Sequence, residues 1–140
     1  MAQPRPSRTL GGAHDAFWKF CDRRELRMQR CEACEEYQWP PVERCSDCHG
    51  ADLVWTQLSG RGRVRSWCVF QREYHAECPP PWPVLMVELE EGPLFITNPV
   101  ADQFLMEDAR QVAVTFIDCA DAAGPFTLPV FTAADPTVAP

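Results

Sequence analysis

Four cysteines stand in two pairs, Cys31-x-x-Cys34 and Cys45-x-x-Cys48, with residues 35–44 between them. Each Cys-x-x-Cys unit can curl into a tight turn that aims both sulfurs the same way. Two such turns facing each other offer four soft ligands to one tetrahedral ion. When the protein fills all four positions, no place is left for water or substrate. The ion's work is then structural: it folds a stretch too short to fold alone. One structural zinc on Cys31, Cys34, Cys45 and Cys48 is the expectation. Iron uses the same ligand set, and His49, next to Cys48, is an alternative fourth ligand.

The chain has 140 residues, 46% of them apolar, which suits one compact domain, or one small domain plus a metal-pinned module. Its net charge is -7. Nucleic-acid affinity comes mainly from Lys and Arg on phosphates, so an acidic chain is not expected to have a nucleic-acid partner. There is no apolar run long enough for a membrane span, so no membrane partner is expected. The opening residues lack the apolar stretch of a signal peptide. A cytoplasmic protein with reduced thiols is therefore expected. Its eight cysteines then read as four ligands and four free thiols rather than as disulfides.

Along the chain, residues 1–13 are Pro- and Gly-marked with little apolar content and read as a disordered lead. Residues 14–29 read as a helix: Phe17, Phe20 and Cys21 fall at i, i+3 and i+4, with Asp15 as N-cap. Trp18 widens the aromatic face beyond one packing stripe. Residues 30–52 form the metal module. From 53 the pattern turns to strands. Residues 53–58 begin the first, and Ser59-Gly60-Arg61-Gly62 breaks it. In the next, Val64, Ser66, Cys68 and Phe70 share one face while Arg63, Arg65, Trp67 and Val69 share the other. A stiff loop over 72–83 carries Pro79, Pro80, Pro81 and Pro83. A hairpin follows over 84–97, then strands over 112–116 and 126–131. The tail over 133–140 reads as loose. Five short strands suggest a five-stranded Greek-key barrel of the OB type over 53–132, with an SH3-like barrel as the similar-looking alternative. The fold class expected is mainly β: helix, ribbon, barrel.

Several side chains invite a chemical reading. Arg61, Arg63 and Arg65 cluster after the first barrel strand and could hold a phosphate-bearing ligand; a solvated strand face is the plainer reading. His75, at the lip of the stiff loop, is a candidate base, and Cys119 a candidate nucleophile. Cys119 has no histidine near it in sequence, so an inert thiol is the plainer reading. Cys21, Cys68 and Cys78 read the same way, with Cys78 the most exposed. An over-wide aromatic helix and a rigid Pro loop suit a protein–protein surface. That points to Phe17, Trp18 and Phe20 on the helix and Tyr74, His75 and Trp82 on the loop.

A sequence of motifs now stands in order: Phe17-Trp18, Arg30-Cys31-x-x-Cys34, Trp39-Pro40-Pro41, Cys45-x-x-Cys48, Trp55, Leu58-Ser59-Gly60-Arg61-Gly62, Pro83 to Gly92, and Leu128-Pro129-Val130-Phe131. In this order they resemble the small zinc-ribbon/OB-fold proteins that accompany acyl-CoA enzymes. The resemblance spans about residues 15–132. It implies an N-terminal helix, a rubredoxin-like zinc ribbon and an OB barrel. It also implies a non-catalytic subunit of a heteromer, such as a heterotetramer. The partner would be a thiolase-fold aldolase or thiolase, or an acyl-CoA hydratase, and would supply the catalytic groups. The small subunit would stabilise the partner and help hold the CoA arm, in steroid side-chain or related acyl-CoA metabolism. Arg61, Arg63 and Arg65 are the candidates for the CoA phosphates. One departure stands out. Similar proteins have Leu-x-x-Gly after the position of Asp102, whereas Leu105 to Ala109 here contains no glycine. Two other classes stay open: a single-strand nucleic-acid binder built on the barrel, and an enzyme using Cys119 or His75.

Overall fold

The arginine-and-proline lead does not hang free. In the computed structural model, which describes residues 2–100 and 103–134, the elements run β1 (Gln3–Pro4), α1 (Ala13–Asp22), β2 (Arg27–Cys31), β3 (Tyr37–Gln38), β4 (Leu53–Gln57), β5 (Arg61–Phe70), β6 (Trp82–Leu89), β7 (Leu94–Thr97), β8 (Gln111–Asp121) and β9 (Gly124–Ala133). β1 lies parallel to β8, with Gln3 opposite Cys119. The Arg8 guanidinium then closes on Asp121 at 2.8 Å and sits over the Phe126 ring at 4.2 Å. The expected disorder over 1–13 gives way to this strap. Its anchors are charge and ring contacts, which a search for apolar periodicity passes over.

The helix is shorter than the expected 14–29. The Arg24 N–H donates to the Cys21 carbonyl at 2.8 Å, and the Glu25 N–H to the Phe20 carbonyl at 3.0 Å. Arg24 takes φ 59°. This pair of reversed bonds ends a helix, usually at a glycine; an arginine in the role conceals the stop. Asp15 is not the N-cap but lies inside the first turn, where its carboxylate accepts the Gly11 N–H at 2.9 Å.

Two sheets follow. β2 pairs antiparallel with β3 on one side and with β4 on the other, forming the ribbon. β4 was expected to open the barrel. Its register, from Arg27 opposite Gln57 to Cys31 opposite Leu53, assigns it to the ribbon instead. A strand pattern announces a strand but not its partner. The barrel is built from β5, β6, β7, β8 and β9, the mainly β, OB-type architecture expected. It draws shut where the Phe131 N–H donates to the Asn98 carbonyl at 3.0 Å and the Val100 N–H to the Phe131 carbonyl at 2.8 Å. The tail expected from 133 begins inside β9, and the Ala134 N–H still donates to the Gln111 carbonyl at 3.0 Å. The rest of that expectation lies outside the described residues. No helix among the described residues is long and apolar enough to cross a membrane.

Within β5 the register against β6 shifts between Val64 and Ser66. The extra residue, Arg65, turns the later side chains over. Val64 is buried, but Ser66, Cys68 and Phe70, expected on its face, are exposed. Gly62 permits the close approach of β6 at the other end. A Cβ there would stand 2.5 Å from the Glu88 carbonyl oxygen. After Leu105, the turn that lacks glycine still takes a left-handed residue, Ala109 at φ 62°, and the Ala109 N–H donates to the Val64 carbonyl at 2.9 Å.

Helix, ribbon and barrel share one core, in which Phe17, Met28, Val64, Leu85 and Phe131 are all buried. A row of rings runs through it. Phe17 meets Trp39 at 4.6 Å, Trp39 meets Phe95 at 5.1 Å, and Phe95 meets Phe131 at 6.1 Å. Phe17, Phe95 and Phe131, the buried rings of the row, each contribute about 1.5–3 kcal/mol.

Candidate metal centre and flanking surfaces

The two cysteine pairs come from matching turns. In the first, the Glu35 N–H donates to the Cys31 carbonyl at 2.8 Å, and in the second, the His49 N–H donates to the Cys45 carbonyl at 3.0 Å. Glu35 and His49 both take left-handed conformations, φ 67° and 65°. The four Sγ atoms all lie within 4.8 Å of one another, with Cys31–Cys48 and Cys34–Cys45 each at 3.5 Å. Zinc–thiolate bonds of about 2.3 Å in a tetrahedron put sulfurs about 3.8 Å apart. The donor set and its size therefore fit one four-thiolate ion. His49 is exposed and serves the turn with its backbone; it is not one of the clustered ligands.

Cys45 is the best-supported sulfur. The Cys48 and Asp47 backbone N–H groups point at it from 3.5 and 3.4 Å. The Cys48 N–H first, with Asp47 behind it, holds the thiol down to about 7. The Gln38 amide adds a donor at 3.4 Å, and its oxygen accepts the Ser46 N–H at 2.9 Å and the Ser46 hydroxyl at 2.6 Å. Gln29 clamps the loop between the pairs, exchanging two 2.8 Å bonds with the Val42 backbone. Sequence reasoning missed both glutamines. The available signal was a neutral amide at a buried position of a short strand beside a cysteine turn, where each polar group needs a partner.

The three arginines expected for phosphates are already engaged. Arg61 reaches Glu90 at 3.1 Å, while Arg63 and Arg65 both reach Glu88, at 3.0 and 2.8 Å. Arg65 and then Arg63 hold the Glu88 carboxyl below its usual range. The sequence pattern placed two of these arginines on one face. It could not place Glu88 of β6 and Glu90 just past it beside them, because that pairing is not local.

The expected docking residues divide. Phe17 is 3% exposed and belongs to the chain's own core. Trp18 is half-buried; it meets Phe126 edge-on at 5.3 Å and donates its indole N–H to the Thr9 carbonyl at 3.0 Å. Phe20 is half-buried beside Trp55 at 5.6 Å. Trp82 is half-buried beneath the Arg5 guanidinium. The wide face of α1 is thus largely used at home. Tyr74 and His75 are exposed. Beyond Trp67, β5 and β6 pair only with each other and leave the sheet as a two-stranded arm. Phe70 and Tyr74 toward its end are 43 and 66% exposed, and Trp67 at its base is 42% exposed. Phe70 and Tyr74 pack edge-on at 5.7 Å.

Cys119 is fully buried, and burial pushes its thiol up, the opposite of what a nucleophile needs. Cys21 is likewise buried and raised by burial. Outside the metal cluster, Cys68 is the exposed thiol, while Cys78, expected there, is half-buried.

Comparison with known proteins also finds a ribbon followed by a barrel, with the boundary falling inside β4. Residues 18–54 match the model of the ChsH2 rubredoxin-like zinc ribbon domain, and residues 55–119 match that of the ChsH2 C-terminal OB-fold domain. A "probable enoyl-CoA hydratase alpha subunit" of Thermomonospora curvata is 32% identical over 96% of this chain. The chain spans 41% of that relative's length. A solved structure described as the Ltp2-ChsH2(DUF35) aldolase superposes with a TM-score of 0.80 at 28% identity, covering 92% of this chain and 100% of that one. A DUF35-family protein of unknown function from Sulfolobus solfataricus shares the fold, with a TM-score of 0.55 at 11% identity over 74% of this chain and 78% of that one.

Proposed function

Because the chain belongs to the ChsH2 zinc-ribbon and OB-fold family, we propose that it is a non-catalytic subunit of a heteromeric acyl-CoA enzyme. Its four-cysteine ribbon would hold one zinc in a structural role. The partner would be a thiolase-fold aldolase or thiolase, or an acyl-CoA hydratase, and would supply the reacting groups. The solved relative is described as an aldolase and the curated one as a hydratase subunit, which supports this range of partners. A heterotetramer is the arrangement we favour. Steroid side-chain or related acyl-CoA metabolism is the setting that the resemblance supports.

The single observation carrying the reading is the two-stranded arm. Exposed aromatic rings on a projecting hairpin are an unmet contact surface. Aromatic residues are also the ones enriched at the centres of interfaces. We expect co-expression with a thiolase-like protein encoded beside this one to give a complex that co-elutes on size exclusion, while the chain alone turns over no acyl-CoA. Separate elution of the two proteins would count against it.

A further inference from the structure

The Gln38 amide can stand in only one orientation. Gln38 is 3% exposed and lies on β3, opposite Gln29 of β2 in the register of the ribbon. Its Oε1 accepts the Ser46 backbone N–H at 2.9 Å and the Ser46 hydroxyl at 2.6 Å. A backbone N–H can only donate, so the amide oxygen must face Ser46 and the nitrogen must face away from it. On that side Nε2 has two acceptors, the Glu36 carbonyl and Cys45 Sγ, each at 3.4 Å. Every donor and acceptor place of the amide is thereby filled.

The four sulfurs it serves are not equivalent. Cys31 and Cys45 are buried, Cys34 is half-buried and Cys48 is exposed. Among the described residues, Cys45 is the sulfur that receives a side-chain amide, beyond the Asp47 and Cys48 backbone N–H groups at 3.4 and 3.5 Å. Backbone donors come with a Cys-x-x-Cys turn. The Gln38 donor does not; it reaches in from a strand seven residues back. A donor aimed at sulfur is strongest when the sulfur carries the charge of a metal ligand. Partners of this kind orient metal ligands and tighten the grip on the ion.

Gln29 is the built-in comparison. It is also buried, and it exchanges two 2.8 Å bonds with the Val42 backbone. The two glutamines thus hold the loop over 42–46 at its two ends, Gln29 through backbone alone and Gln38 through a sulfur as well.

We propose that Gln38 is the positioning residue of the metal centre: it fixes Cys45 as the anchoring ligand and slows the loss of a bound ion. This rests on the reading of one structural zinc.

The test loads the full chain with zinc for exchange and with cobalt(II) for spectroscopy. Cobalt takes the same four thiolates and reports them in its sulfur-to-metal charge-transfer band. Gln38→Leu removes the donor, and Gln38→Glu puts a carboxylate oxygen in its place. Both should shift the band and speed zinc transfer to a chromophoric chelator at least about tenfold. Gln29→Leu should lower the melting temperature, leave the band in place and change zinc transfer by less than about twofold. The natural chain is also loaded with a magnetically active cadmium isotope, a measurement that depends on no variant folding. A Gln38 side-chain amide proton should then show scalar coupling to the metal through sulfur. An unmoved band with unchanged zinc transfer in both Gln38 variants would overturn the assignment. So would a band moved as far by Gln29→Leu, or a Gln38 amide without coupling. Those results in a metal-loaded chain remove the role of Gln38 alone. A natural chain that takes up none of the three metals removes the zinc reading with it.

Discussion

Arg8 and Asp121 join opposite ends of the chain: the guanidinium meets the carboxylate at 2.8 Å, and the Asp121 side chain is 1% exposed. The Arg8 backbone N–H adds a third contact at 3.0 Å, beside Nε and Nη2. The Arg8 side chain first, then its N–H, holds the Asp121 carboxyl down to about 2. A depressed carboxylate stabilises the fold above its unfolded-state value near 4 and loses that contribution as pH falls toward 2. We expect Arg8→Ala to cost about 1–3 kcal/mol at pH 7, because it strands a buried carboxylate. The gap in melting temperature between the variant and the natural chain should close as pH falls from 4 to 2. A gap independent of pH would show that the ion pair is not its source.

Removing the metal should unfold the ribbon first. With a strong chelator, near-UV circular dichroism of Trp39 and Trp55 should change before the barrel melts. Native mass spectrometry should show one zinc per chain, absent in Cys45→Ser. A chain of bare mass that keeps its full tertiary signal would contradict a structural metal.

Two backbone positions should respond with opposite signs. Ala109 sits at φ 62°, so Ala109→Gly should stabilise the protein by about 1 kcal/mol. Gly62→Ala places a methyl 2.5 Å from the Glu88 carbonyl and should destabilise it by about 1–3 kcal/mol, read by urea titration.

The aromatic residues separate core from surface. Phe17→Ala should cost about 3–5 kcal/mol of stability. Phe70→Ala and Tyr74→Ala, on the exposed arm, should change stability by about 0.5 kcal/mol or less. The arm variants should instead weaken the complex with the partner enzyme at least tenfold, measured by surface plasmon resonance.

What the residues revealed beforehand was local. The two Cys-x-x-Cys turns are closed by bonds four residues apart, so their spacing announces them. The hairpin of β6 and β7 shows period-two burial and was visible for the same reason. What stayed hidden depended on partners far along the chain. Glu88 lies 23 residues from Arg65, which it neutralises, and Asp121 lies 113 residues from Arg8, which it anchors. The helix end was concealed differently, by an arginine in a place where glycine would have signalled it.

The line of rings from Phe17 through Trp39 and Phe95 to Phe131 crosses from the four-cysteine half into the barrel. A genetic break at that seam would leave each half with an oily face and no cover. The two halves should therefore be inherited, fused to other genes or lost together, never traded piecemeal.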